Sequence, residues 1–136
     1  MPNKNQNYSV RVYYEDTDAG GIVYYANYLK FFERARTEWL RELGINQTKF
    51  LEQKIGFVVR RVEMDNVASA KLDDLLNVNS TIQTLKRDSL VFHQQITNQE
   101  QQVICIAIVK VACLNFQSAK PMAIPESILG ALKRVC

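Results

Sequence analysis

The chain predicts an α+β domain in which an antiparallel sheet of about five strands wraps one long central helix. Three observations carry that expectation. A strand-like run at 8–14 precedes a single long amphipathic stretch at 26–43. From Gly56 onward the apolar period changes from that of a helix to that of strands. Those later strands follow one another through short turns with no crossover helix between them, so they pair antiparallel. At 136 residues the chain has room for one domain, and a domain of this size builds a core without staples.

Residues 1–7 are polar and read as a disordered lead-in, leaving a single domain over 8–136. In the first strand Val10, Val12 and Tyr14 alternate with Ser9, Arg11 and Tyr13. An acidic, glycine-containing loop follows. In the helix Tyr25, Tyr28, Leu29, Phe32, Ala35, Arg36, Trp39, Leu40 and Leu43 share one side, with Lys30, Glu33, Arg34, Thr37 and Glu38 on the other. Gly44 is a candidate C-cap. A second short helix is expected at 48–53.

The stretch 57–67 is apolar at its start and then mixed. Leu76, Val78 and Ile82 alternate with polar residues, as do Leu90, Phe92 and Ile96, and Arg87-Asp88 reads as the turn between these two strands. Residues 98–101 make the next turn. The run 102–116 is apolar on both faces and predicts a central strand covered on both sides. Pro125 opens a last helix.

Composition excludes several classes. A net charge of +3 with no basic run does not suit a nucleic-acid binder. No apolar run reaches the roughly 20 residues of a membrane span, and the polar start does not read as a signal peptide. Cys105 and Cys113 lie in one predicted strand, about 26 Å apart, and cannot pair. Together with Cys136 they read as reduced thiols, which suits a cytoplasmic protein. His93 is the only histidine, so no Ser-His or Cys-His pair can be built elsewhere, and no zinc site is expected.

The chemistry concentrates between the first strand and the long helix. Asp16 and Asp18 stand one residue apart, followed by Gly20 and Gly21 and then the helix start. Glycine lets a ligand approach the backbone. A helix N-terminus offers free N–H groups and partial positive charge. A carboxylate beside such donors can supply a base or nucleophile and a place for an oxyanion. Each acid could instead shape the turn or cap the helix, and Asp16 fits that role better.

The residues VRVYYEDTDAGGIVY at 10–24, ANYL at 26–29 and FERARTE at 32–38 carry a family likeness. FVVR at 57–60, AKLDD at 70–74 and SLVF at 89–92 extend it. The chain resembles the hotdog-fold acyl-CoA thioesterases of the 4-hydroxybenzoyl-CoA thioesterase superfamily, and within them the YbgC branch. The resemblance implies a hotdog fold, hydrolysis of an acyl-CoA thioester, no metal or bound cofactor, and a homodimer or homotetramer with sheets joined edge to edge. It implies Asp18 as the catalytic carboxylate and the backbone N–H of Tyr25 as the oxyanion donor. The YbgC pattern usually has histidine at that position; Tyr25 keeps the N–H and loses the imidazole.

For substrate binding, Gly20 and Gly21 are candidates at the carbonyl. Tyr24, Tyr28 and Val59 are candidates for the acyl group. Arg60, Arg61, Lys71, Lys86 and Arg87, near strand ends, are candidates for the phosphates of coenzyme A. An acyl carrier protein is a possible alternative donor of the acyl group. The competing reading is a hotdog module that binds acyl-CoA or a carrier protein without turnover. A phosphatase reading of Asp16-Thr17-Asp18 needs a parallel α/β sheet, and a dehydratase needs a histidine paired with an acid at the site.

Overall fold

The long amphipathic stretch folds as α1 (Asn27–Glu42), burying Tyr28, Phe31, Phe32, Ala35, Trp39 and Leu40 along one side. It ends at a glycine for a physical reason. Gly44 sits at φ +83°, its N–H donates to Arg41 O, and the Ile45 N–H reaches back to Leu40 O. This pair of bonds is a Schellman motif, which needs a residue comfortable in the left-handed region. Gly44→Ala is expected to cost about 1 kcal/mol, seen as a lowered midpoint in thermal unfolding; an unchanged midpoint would contradict the cap.

The computed structural model describes residues 4–136. Around α1 run β1 (Asn5–Arg11), a short α2 (Gln47–Glu52), β2 (Ile55–Asn66), β3 (Leu75–Leu85), β4 (Ser89–Thr97), β5 (Val103–Asn115), the two-residue β6 (Lys120–Pro121) and α3 (Glu126–Lys133). The sheet order is β1-β3-β4-β5-β2, antiparallel throughout, with β6 paired to the end of β5. α1 packs mainly on β1 and β3. The sheet curls about it, and the core lies between them. This is the hotdog arrangement.

The expected turns are present. Lys86 N–H donates to Ser89 O, and Asn98 N–H to Gln102 O. The Asn98 carboxamide oxygen also accepts from the Glu100 and Gln102 N–H groups.

Three expectations need correction. The polar residues Asn5, Gln6 and Asn7 are not a disordered lead-in; they pair with Thr81, Ser80 and Asn79, and Lys4 N–H donates to Val135 O. A ladder is made by backbone groups, so polar side chains do not prevent it. Residues 1–3 lie outside the described residues.

Second, β5 is internal to the sheet but its outer face is covered only in part: Ile104 and Ala112 are buried, Ile106 and Ile108 half-buried and Lys110 exposed. Third, the mixed part of β2 has a pattern after all. Phe57 and Val59 stand opposite Cys113 and Val111, and Val62 and Met64 opposite Val109 and Ala107, with a register shift between Val59 and Arg61. Arg60 is the extra residue of a bulge, which moves the inward side from odd to even numbers.

The thiols follow the burial. Cys105 and Cys113 are buried and Cys136 is exposed. Burial pushes the Cys105 thiol up to about 12, with Asp65 adding to it, and burial also raises Cys113 and Cys136. At about pH 8, a thiol reagent should modify one cysteine quickly in the folded chain and the rest only on unfolding. Two fast thiols would contradict this packing.

Candidate active site

The loop after β1 is built by its own backbone. A 3-10 turn at Tyr14–Asp16 is closed by Asp16, whose carboxylate accepts from the Tyr13 N–H at 2.8 Å. Thr17 then bridges Val23, the Asp18 N–H donates to Ile22 O, and the Gly21 N–H returns to Asp18 O. The result is a tight hairpin with Asp18 near its tip. Gly21 takes φ +77°, a conformation that disfavours any side chain there.

Two contacts dock this hairpin on the β2–β3 connection: Val23 N–H donates to Ala70 O and Leu72 N–H to Gly21 O. Ile22 also bridges Lys71. The AKLDD segment is therefore the seat of the loop.

Asp18 is exposed. One carboxylate oxygen accepts the Gly20 N–H at 2.8 Å; the other has no partner among the described residues. Asp16 is committed to the turn, which separates the two acids into a structural one and a free one. The return leg leads straight into α1. The Asn27, Tyr28 and Leu29 N–H groups are taken by Tyr24, Tyr25 and Ala26 oxygens, and the helix start has no side-chain cap. The Tyr25 N–H has no acceptor among the described residues. It stands at the positive end of the helix dipole, open to a ligand oxygen.

The Tyr24 and Tyr25 rings, on the leg that returns from the hairpin to α1, lie 5.1 Å apart and are 50% and 57% exposed.

Asp18, Gly20, Gly21, Tyr24, Tyr25 and Lys71 thus come together. The other candidates do not join them. Tyr28 is a core residue: it is fully enclosed, its phenol oxygen accepts the Ala70 N–H at 3.0 Å, and burial raises its pKa. It holds the AKLDD segment against the helix rather than lining a pocket. Val59 points inward from the middle of β2. Arg60 is the bulge residue, and Arg61 is turned to the other face, ion-paired with Glu63 at 2.6 Å. Lys86 and Arg87 form the β3–β4 turn, one strand length from the Asp18 loop, about 33 Å away.

Sequence reasoning also passed over Arg36 and Gln94. Arg36 Nη1 donates to Gln94 Oε1 at 2.9 Å, and Gln94 Nε2 donates to Phe32 O and Ser80 Oγ. The signal was present: an arginine within the apolar side of α1.

A curled antiparallel sheet around one long helix, fed by a tight hairpin that carries Asp18, defines a hotdog protein. The profile of the thioesterase-like superfamily matches residues 12–132, and the chain belongs to that family. It is 45% identical over 125 residues to the acyl-CoA thioester hydrolase YbgC of Escherichia coli O6:H1, covering 92% of this chain and 93% of that one. It is 46% identical to the acyl-CoA thioesterase YbgC of Haemophilus influenzae, with 91% of each chain covered. The fold matches that of a 1,4-dihydroxy-2-naphthoyl-CoA thioesterase from Synechocystis with a TM-score of 0.89 at 23% identity, over 96% of both chains.

Proposed function

We propose that the chain hydrolyses acyl-CoA thioesters to a free carboxylic acid and coenzyme A, with Asp18 as nucleophile or general base and the Tyr25 N–H as oxyanion donor. The observation that carries this is the presence, in one short loop, of a carboxylate oxygen and a helix-start N–H that both lack a partner among the described residues. A thioester is an activated acyl group with a good thiolate leaving group, so one base and one donor suffice. As base, Asp18 takes a proton from water as the water oxygen bonds to the carbonyl carbon. As nucleophile, it bonds to that carbon itself, and water then opens the anhydride. In both routes the C–S bond breaks, the thiolate leaves as coenzyme A, and the carbonyl oxygen carries transient negative charge toward the Tyr25 N–H.

The reading needs no metal or bound cofactor. Lys71, whose backbone bridges Ile22 beside the loop, is our candidate cation for the phosphates of coenzyme A. The free edge of β2 suits the edge-to-edge homodimer, and such dimers can pair again into a tetramer. An acyl carrier protein is a second possible acyl donor. We take the reaction to be cytoplasmic; among the described residues no helix is long and apolar enough to cross a membrane.

The test is thiol release from a panel of acyl-CoAs of graded length, aliphatic and aromatic. Release from any of them supports the hydrolase. A chain that binds these esters and releases no thiol is instead the non-catalytic module, with Tyr25 in place of histidine as its mark.

A further inference from the structure

The proposed reaction needs the Asp18 carboxylate and the Tyr25 N–H at one fixed separation, yet the chain between them does little to fix it. Gly20 and Gly21 stand between the two, and Asp18 lies near the tip of an exposed hairpin. Glycine loosens a backbone, and a misplacement of about 1 Å in such a pair can cost about a hundredfold in rate. The first turn of α1 supplies the missing restraint.

Two consecutive side chains of that turn reach out to the hairpin. Asn27 Nδ2 donates to Asp16 O at 2.9 Å, on the outgoing leg just before Asp18. The same carbonyl accepts from the Tyr24 N–H of the return leg at 3.1 Å. Only the nitrogen end of a carboxamide can meet a carbonyl oxygen, so the orientation of Asn27 is fixed. The Tyr28 phenol oxygen accepts the Ala70 N–H at 3.0 Å, and Ala70 O accepts from the Val23 N–H at 2.9 Å. Tyr28 thus reaches the return leg through one residue of the seat. Tyr28 and Ala70 are 2% and 0% exposed, so this tie is shielded from water. Neighbouring residues of a helix point about 100° apart, so the helix start is held from two sides. Neither side chain is spent on capping α1, and the Tyr25 N–H stays open.

We propose that Asn27 and Tyr28 are positioning residues that set the separation between the Asp18 carboxylate and the Tyr25 N–H. The inference rests on the thioesterase reading of Asp18 and goes beyond it, since neither side chain takes part in the bond changes. A lone tie fixes one distance and lets the hairpin turn about it; the second removes that freedom. Without either tie the range of separations widens, and fewer bound esters stand ready to react. Affinity for the rest of the ester does not depend on that separation. The loss therefore falls on kcat and spares KM.

The experiment measures kcat and KM for the best acyl-CoA of the panel on wild type, Asn27→Ala and Tyr28→Phe, each also in the Asp18→Asn background. Ser80→Ala is the control: Ser80 is a buried partner of Gln94 on β3, away from the hairpin. Each tie variant should lower kcat about tenfold and leave KM within about twofold. Once Asp18 has lost its charge its placement no longer matters, so the same changes should cost less than about twofold there. Ser80→Ala should keep the wild-type kcat. Full kcat in both tie variants, an equal loss in the Asp18→Asn background, or an equal loss in Ser80→Ala overturns the proposal. Alanine suits a helix and Asn27 is half-buried, so that variant should fold; if Tyr28→Phe does not, Asn27→Ala decides. If wild type hydrolyses no ester, the thioesterase reading fails by itself and the ties are read by amide NMR. The Gly20 N–H, bonded to the Asp18 carboxylate, should then shift or broaden in the tie variants and not in Ser80→Ala. A Gly20 resonance unmoved in the tie variants sinks the positioning as well.

Discussion

Asp18→Asn is expected to lower kcat/KM for the best acyl-CoA by at least about a hundredfold, the usual scale for a general base, or about 2.7 kcal/mol of barrier. Asparagine keeps the shape of the side chain and loses its charge and basicity. Its oxygen can still accept from the Gly20 N–H, the one hydrogen bond that the carboxylate makes among the described residues. Asp18 is also exposed, so the thermal midpoint should move by no more than a degree or two. That combination separates chemistry from folding. Thiol release and a melting curve on the same preparation read both. Retention of more than a tenth of the wild-type rate would mean that the working base lies elsewhere. A parallel collapse of the midpoint would mean that Asp18 shapes the loop.

Gln94→Leu should be the costliest change to stability among the polar residues. Gln94 is fully buried and ties three elements together: it donates to Phe32 O on α1 at 3.0 Å and to Ser80 Oγ on β3 at 2.9 Å, and accepts from Arg36 at 2.9 Å. Leucine fills nearly the same space and satisfies none of these. The stranded carbonyl, hydroxyl and guanidinium together should cost about 3 kcal/mol, or roughly 10 °C in melting temperature for a domain of this size. Adding Ser80→Ala should recover part of the loss, since one orphaned group is then gone. A melting temperature within two degrees of wild type would show that the network contributes nothing net.

Much of this fold is legible in the sequence because side-chain period reports which face is covered. The helix, its glycine stop and the turns at 86–88 and 98–101 are of that kind. What period cannot report is backbone pairing without apolar side chains, which hid the strand at Asn5–Asn7, nor what lies on the far side of a strand such as β5. For the site, the local motif placed Asp18, the glycines and Tyr25 in one loop, because a hairpin feeding a helix is short-range. The cations were chosen for lying near strand ends, and a strand has two ends. Lys71 lies at the end beside the loop and Lys86 and Arg87 at the other, a distinction only the three-dimensional order of strands supplies. Tyr28 was misplaced for a related reason. Its spacing is equally that of a lining residue and of a core residue, and its hydroxyl finds its partner 42 positions away.

The extra residue at Arg60 has a consequence for how this protein can change. It divides β2 into two stretches whose facing is set independently. The N-terminal stretch answers to Cys113 and Val111, and the C-terminal stretch to Val109, Ala107 and the segment that seats the Asp18 loop. A one-residue insertion or deletion absorbed at that point need not propagate as a frameshift into the other stretch. The residues that face Cys113 and Val111 and those that lead to the seat of the Asp18 loop can thus drift apart in sequence while sharing one strand.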